Sequence, residues 1–286
     1  MTDSYPFYVI AAAFVALLLL ERRFPLRMPK SRFAERFIVN AIVSSLAIAV
    51  AIIVVKPVAT AVFERVTENH WGLAPIMSSN VMIQGALAFL LMDLSFYYWH
   101  RANHLWPLLW RFHNAHHIDP DLDVSTAYRF HFVEIGFSAG FRVIQIVLIG
   151  GQPWVFIAYE FVFQLNTLFQ HSNVCLPIAV ERWLSLILVT PRMHGIHHSQ
   201  IREENNSNWS SVFSCWDRLH GSLCLNIPQA QVRIGIPGYS LAEDNRVINI
   251  LVMPFRKQRD YWRGPSGRSA GRPSRPGGSS ASRMAQ

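Results

Sequence analysis

The apolar run Met82–Trp99 is long enough to cross a bilayer, and it ends directly on a histidine, His100. A chain with this feature has to embed or bury the run, and whatever does so holds an imidazole at one end. Eight of the twelve histidines lie in three short segments: His100-Arg-Ala-Asn-His104, His113-Asn-Ala-His116-His117 and His194-Gly-Ile-His197-His198. The apolar segments before and between them read as the means of presenting these imidazoles to one another.

Those segments can be taken in order. Tyr5–Leu20 is apolar and is followed at once by Glu21-Arg22-Arg23, the reverse of a cleaved signal's charge order, so it reads as a retained span. Phe37–Val55 reads as a second span, Lys56 to Asn80 as a loop, and Met82–Trp99 as a third span. Phe132–Gly150 and Pro153–Gln170 flank the turn signal Gly150-Gly151-Gln152-Pro153 and read as a helical hairpin that enters the membrane and returns, spanning or re-entrant. Glu134 and Arg142 interrupt its first arm, and ionisable groups at that depth face protein or water. Trp183–Val189, between Pro177 and Pro191, is too short to cross and reads as an interfacial or core helix. Gly264–Gln286 is rich in Gly, Ser, Pro and Arg and reads as disordered.

Composition agrees. Apolar residues make up 51% of the 286 and charged residues 15%, against about a quarter charged in soluble domains. The net charge of +8 comes partly from a basic end (Arg256, Lys257, Arg259, Arg263, Arg268, Arg272, Arg275 and Arg283 against Asp260), so it implies no nucleic-acid partner. Three cysteines without a CxxC pair argue against a zinc finger or a disulfide framework. The expected fold is an all-α integral membrane protein with about four transmembrane helices and a histidine-rich helical cap. The expected divisions are N-terminal membrane helices and loop (1–80), a histidine-box membrane domain (81–225), a C-terminal extension (226–263) and the basic tail (264–286).

The segment 21–36 carries Arg22, Arg23, Arg27, Lys30, Arg32 and Arg36. By the positive-inside rule it is cytoplasmic, which puts the histidine cap on the cytoplasmic side. A bacterial inner membrane fits this, and an endoplasmic reticulum membrane obeys the same charge rule.

Residues at i, i+3 and i+4 share a helix face, so each HxxHH segment converges its own imidazoles if helical. Imidazole is a common ligand for iron, copper, nickel and zinc. Eight exceed what one tetrahedral metal needs, about four, and favour two metals held close together. HExxH is absent, which leaves a zinc protease little support. Isolated His70 and His220 read as non-ligands. A metal transporter would want its ligands near the midplane of the spans, whereas these lie just beyond span ends.

In order along the chain, these residues resemble the boxes of the fatty acid hydroxylase/sterol desaturase superfamily. Tyr98-Trp99-His100-Arg-Ala-Asn-His104 is similar to its HRxxH box and His113–His117 to its first HxxHH box. Tyr128-Arg129-Phe130-His131-Phe132-Val133-Glu134 is similar to its RFHPxE segment, and Phe169-Gln170-His171-Ser172-Asn173 to its HSN segment. Thr190–His198 resembles the last box, and Asn208-Trp209 through Trp216-Asp217-Arg218-Leu219-His220-Gly221-Ser222 its closing segment. The likeness covers roughly 85–225. Phe132, His220 and Ser222 depart from the usual Pro, Phe and Thr.

The resemblance implies a non-haem dinuclear iron site with ligands among His100, His104, His113, His116, His117, His131, His171, His194, His197 and His198. His131 and His171 also stand at hairpin-arm ends facing the clusters. Asp93, two turns before His100, is a candidate to orient a ligand imidazole or simply to hydrogen-bond between helices; Glu134, Asn173, Trp216 and Asp217 are candidates to support or pack beside the site. The implied activity is O2-dependent hydroxylation of a lipid or sterol-like substrate, or desaturation by the same metal chemistry. With no GxGxxG fingerprint in the chain, electrons would come from a cytochrome b5-like or ferredoxin-type donor fed by NAD(P)H.

Overall fold

The computed structural model describes residues 5–270; the basic stretch 271–286 lies outside the described residues. Among them the fold is helical, with isolated β-bridges and no strand. The helices are α1 (Tyr5–Arg23), α2 (Phe33–Val50), α3 (Lys56–Glu68), α4 (Leu73–Met77), α5 (Val81–Leu105), α6 (Pro107–His117), α7 (Phe132–Ile149), α8 (Pro153–His171), α9 (Ile178–Leu184), α10 (Pro191–His197), α11 (Arg202–Asn205), α12 (Cys215–Leu219) and α13 (Val247–Val252). Four stretches are long and apolar enough to cross a membrane: Tyr5–Arg23, Phe33–Met77, Val81–Leu105 and Phe132–Ile149. The chain is a multi-pass membrane protein.

α5 is the central element, with α7 and α8 packed against it; α2 and α3 lie along α7, and α1 lies along α8. Asn80 starts α5 by accepting from the N–H groups of Met82 (2.9 Å) and Ile83 (3.3 Å). Pro107 ends it: Trp106, the residue before proline, is extended (φ −90°, ψ 118°). Pro107 then occupies the first turn of α6, where its missing N–H costs nothing. This one-residue break folds α6 back on α5 and brings His113 and His117 against His100 and His104.

The second span differs from the sequence reading. Lys56 does not open a loop, because the helix runs on through a π-helical turn at Ala51–Val55 into α3 and ends at Glu68. A proline inside a helix clashes with the carbonyl four residues before it, here Ile53, and the wider π turn at that point absorbs the clash. Only short turns remain of the expected loop, around α4. Gly72 (φ 113°) meets Gly150 (φ 64°) there, and a Cβ on Gly150 would overlap the Trp71 carbonyl oxygen. The expected hairpin α7–α8 turns at this point. Arg142 pairs with Glu160 across it at 2.5 Å. α8, with Glu160 and several polar residues, is not among the four candidate spans.

At the other end of the bundle a histidine-rich cap is built from α6, α10 and the irregular segments between and after them. The linker between α1 and α2 packs on this cap. Arg36 pairs with Asp119 (2.8 Å) and Asp123, and the N–H groups of Lys30 and Ser31 bond the Asp121 carboxylate (both 2.9 Å). Arg129, fully buried, donates to Asn40 (2.7 Å) and to the Ala115 carbonyl (3.0 Å). The segment after 230 closes over α6, with Ile236, Tyr239, Ile250 and Met253 packed around Trp110 and Ile118.

Candidate metal centre

Nine of the ten histidines singled out above converge, in two adjoining groups. His100, His104, His113, His117 and His197 form one; His116, His171, His194 and His198 form the other. Within each, the nearest ring nitrogens all lie within 4.8 Å of one another. Each HxxHH box feeds both groups. The i,i+4 pair His113/His117 joins the group of five while His116 joins the group of four. In α10 the pair His194/His198 joins the group of four while His197 joins the group of five. The groups touch where His117 stacks on His198, ring centroids 4.3 Å apart and planes 18° apart.

Partners on Nδ1 turn four rings of the group of five; both ring nitrogens of His104 are buried without one. His100 Nδ1 lies 2.9 Å from the Trp209 carbonyl, His197 Nδ1 2.8 Å from the Ser207 carbonyl, and His113 Nδ1 2.7 Å from Glu134 Oε1. His117 Nδ1 is 3.2 Å from the Asn205 amide. In the group of four, His171 Nδ1 reaches the Thr167 carbonyl at 2.8 Å, while the buried Nδ1 atoms of His116, His194 and His198 have no partner. A ring whose Nδ1–H donates to a carbonyl or carboxylate presents an Nε2 lone pair to the centre.

The Nε2 atoms of the two groups crowd one another. Nε2 atoms approach to 3.2 Å between His113 and His117, 3.1 Å between His116 and His171, 2.9 Å between His171 and His194, and 3.1 Å between His194 and His198. Protonation does not relieve this. Burial first, and then neighbouring imidazoles, hold His116, His117, His194 and His198 well below the ordinary imidazole pKa. Burial brings His197 down to about 3, and its Nε2 is buried without a partner. Crowded neutral Nε2 atoms and an orphaned one are what a bound cation would satisfy, so the residues fit a metal.

The remaining candidates are placed as follows. His131 is not brought into either group: its Nδ1 caps α7 by accepting from Val133 N–H (3.2 Å) and its Nε2 lies 3.2 Å from the Leu251 carbonyl. Asp93 does not meet an imidazole; it accepts from the N–H groups of Val212 (3.2 Å) and Phe213 (2.9 Å), from Trp216 Nε1 (2.8 Å) and from the Tyr159 hydroxyl (3.1 Å). Trp216 thereby belongs to the Asp93 cluster. Asp217 takes the N–H groups of Trp209 (2.9 Å) and Ser210 (3.0 Å), fixing the segment whose carbonyl receives His100. Asn173 clamps the α1–α2 linker through both backbone groups of Arg27. His220 bonds Tyr98 and the Trp216 carbonyl. The backbone carbonyls of Thr167, Ser207 and Trp209 carry no side-chain signal by which the sequence could reveal them. Asn205 does have a polar side chain, but no motif marks it.

Residues 85–222, just under half of the chain, match the fatty acid hydroxylase family model. An ornithine lipid hydroxylase from Rhizobium tropici is 33% identical over 155 residues, covering 54% of this chain and 46% of that protein. Human alkylglycerol monooxygenase is 32% identical over 138 residues, covering 47% of this chain and 29% of that protein. Human cholesterol 25-hydroxylase is 27% identical over 172 residues, covering 55% of this chain and 60% of that protein. The matches thus span less than two thirds of each of these relatives. No solved structure matches significantly.

Proposed function

We propose that the chain is an O2-dependent lipid hydroxylase in which the two histidine groups each hold one iron, with residues 81–225 as the catalytic domain. The observation that carries this reading is the division of nine imidazoles, eight buried and His100 partly so, into two touching groups of five and four. One tetrahedral metal would leave about half of them without a role. Bound iron supplies activation of O2 with two added electrons and an oxidant able to take hydrogen from an unactivated C–H bond. One oxygen atom goes to the substrate and the other leaves as water.

The chain's own residues have three tasks. Glu134 and the carbonyls of Trp209, Ser207 and Thr167 orient the rings. The cap formed by α6, α10 and the segment after 230 excludes water. α5 delivers its histidines at the end of a span, where an apolar substrate arrives from the bilayer rather than from solution. The relatives, hydroxylases and a monooxygenase acting on lipid-like molecules, favour hydroxylation of a lipid over desaturation.

The basic linker 21–36 packs on the cap, so the centre shares its side of the membrane. The positive-inside rule makes that side cytoplasmic, in a bacterial inner membrane or an endoplasmic reticulum. Electrons then come from a separate cytochrome b5-like or ferredoxin-type donor fed by NAD(P)H. The test is expression under 18O2 followed by lipid mass spectrometry, for wild type and His194→Ala. Singly 18O-labelled lipids present only with wild type support the reading; the same products from both proteins, or none from an iron-loaded wild type supplied with a donor, overturn it.

A further inference from the structure

We infer that the paired segments 183–189 and 210–219 form a re-entrant element whose exposed apolar side chains contact lipid acyl chains in the leaflet at the histidine end. Depth is set by hydrogen bonds to a span. The N–H groups of Val212 and Phe213 and the indole of Trp216 bond Asp93, which lies seven residues inside α5 from His100, about 10 Å at the helical rise. Val212, Phe213 and Leu188 pack with Ala88, Phe89, Met92 and Tyr159 of α5 and α8. The chain thus leaves the cap after α8, descends along α5, returns to α10 with His194, and descends again through Phe213.

Irregular backbone is tolerated at that depth only where its polar groups are satisfied by protein. Here they are. The N–H groups of residues 185–189 all find carbonyls, at Glu181, Trp183, Leu184, Leu184 and Val212. Ser214 N–H bonds the Ile187 carbonyl at 2.9 Å, and the Ser214 hydroxyl and Arg218 guanidinium both reach the Ser185 carbonyl at 2.8 Å. Four of the outward side chains are large and apolar, Trp183 74% exposed, Leu186 51%, Ile187 63% and Leu219 72%, while the exposed Arg218 turns its guanidinium onto the Ser185 carbonyl. A polar interior and an apolar outside at the depth of a span suit hydrocarbon, not water. This rests on the membrane topology alone and stands or falls apart from the catalytic reading.

The test is a nitroxide at Ile187→Cys, with Leu241→Cys on the cap as the aqueous control, after replacing Cys175, Cys215 and Cys224. The protein is reconstituted into phosphatidylcholine/phosphatidylglycerol vesicles. The expected result is fast relaxation by O2 and weak relaxation by a water-soluble chromium(III) complex at 187, with the reverse at 241. Chromium access at 187 equal to that at 241 would overturn the inference. Because the cysteine replacements lie near this element, a second measurement uses the otherwise native chain. Quenching of tryptophan fluorescence by dibrominated phosphatidylcholine should fall in Trp183→Phe; unchanged quenching would likewise overturn it.

Discussion

His113 and Glu134 meet across two helices, ring Nδ1 to carboxylate Oε1 at 2.7 Å, with both side chains buried. No other ring of the nine has a carboxylate on its Nδ1 among the described contacts, and His113 belongs to the group of five. Glu134→Gln keeps the hydrogen-bond geometry and removes the charge. The expected outcome is about 10–100-fold weaker metal binding at one of two sites, read as one early-released equivalent in chelator competition with a zinc-loaded protein. Equal weakening of both equivalents would count against the assignment.

Asp119, two residues beyond His117, holds the cap to the first helices. Burial opposes its charge, but Arg36 and Arg129 prevail and hold its carboxyl below the usual carboxylate range. Asp119→Asn leaves the buried Arg129 without its nearest carboxylate, 3.7 Å away. A loss of about 3–5 kcal/mol is expected, measured as a lower thermal midpoint in detergent together with reduced metal content, because α6 is anchored there.

Gly150→Ala should behave differently. The residue has φ 64° and packs its Cα side on Trp71 and Gly72, at the end of α7 away from His131. A cost of at least about 1–3 kcal/mol is expected, seen as a lower midpoint with unchanged metal per folded chain. Metal lost in parallel would mean that this turn is coupled to the centre.

Acid should destabilise the metal-free protein. His116, His117, His194, His197 and His198 have folded pKa values lowered by burial and then, for all but His197, chiefly by neighbouring imidazoles. The unfolded chain therefore binds more protons than the folded one once pH falls below about 6.5. Stability is whole above that value and is lost progressively toward about 3, the folded value of His197. At pH 5 the His197 ring alone, with its folded value of about 3, costs roughly 2 kcal/mol. Thermal midpoints of apo-protein at pH 7.5, 6 and 5 check the sign; a midpoint rising toward pH 5 would contradict it.

Much of this molecule is legible in the sequence because helical spacing and hydropathy are local signals. The HxxHH spacing predicts convergence, and Met82–Trp99 predicts a span ending at His100. What the spacing does not carry is the division of each box between two groups, which depends on how α6 and α10 face each other. The end positions of α7 and α8 make His131 and His171 look equivalent. His171 ends α8 and reaches His194, whereas His131 precedes α7 and uses its ring as the cap. Lys56-Pro57 reads as a break because the compensating π turn has no residue signature. Arg36, in the first turn of α2 at the end of the basic segment 21–36, is as much an internal partner of Asp119 and Asp123 as a sign of membrane orientation, and no local pattern separates these roles.

The central claim is that nine imidazoles make two metal sites of unequal support, four anchored Nδ1 atoms in the group of five against one in the group of four. The most direct measurement is anaerobic iron titration of the apo-protein, followed by Mössbauer spectroscopy and elemental analysis. Two equivalents of iron per chain, bound in two steps and giving two quadrupole doublets, are expected. Saturation at one equivalent with a single doublet would contradict the claim.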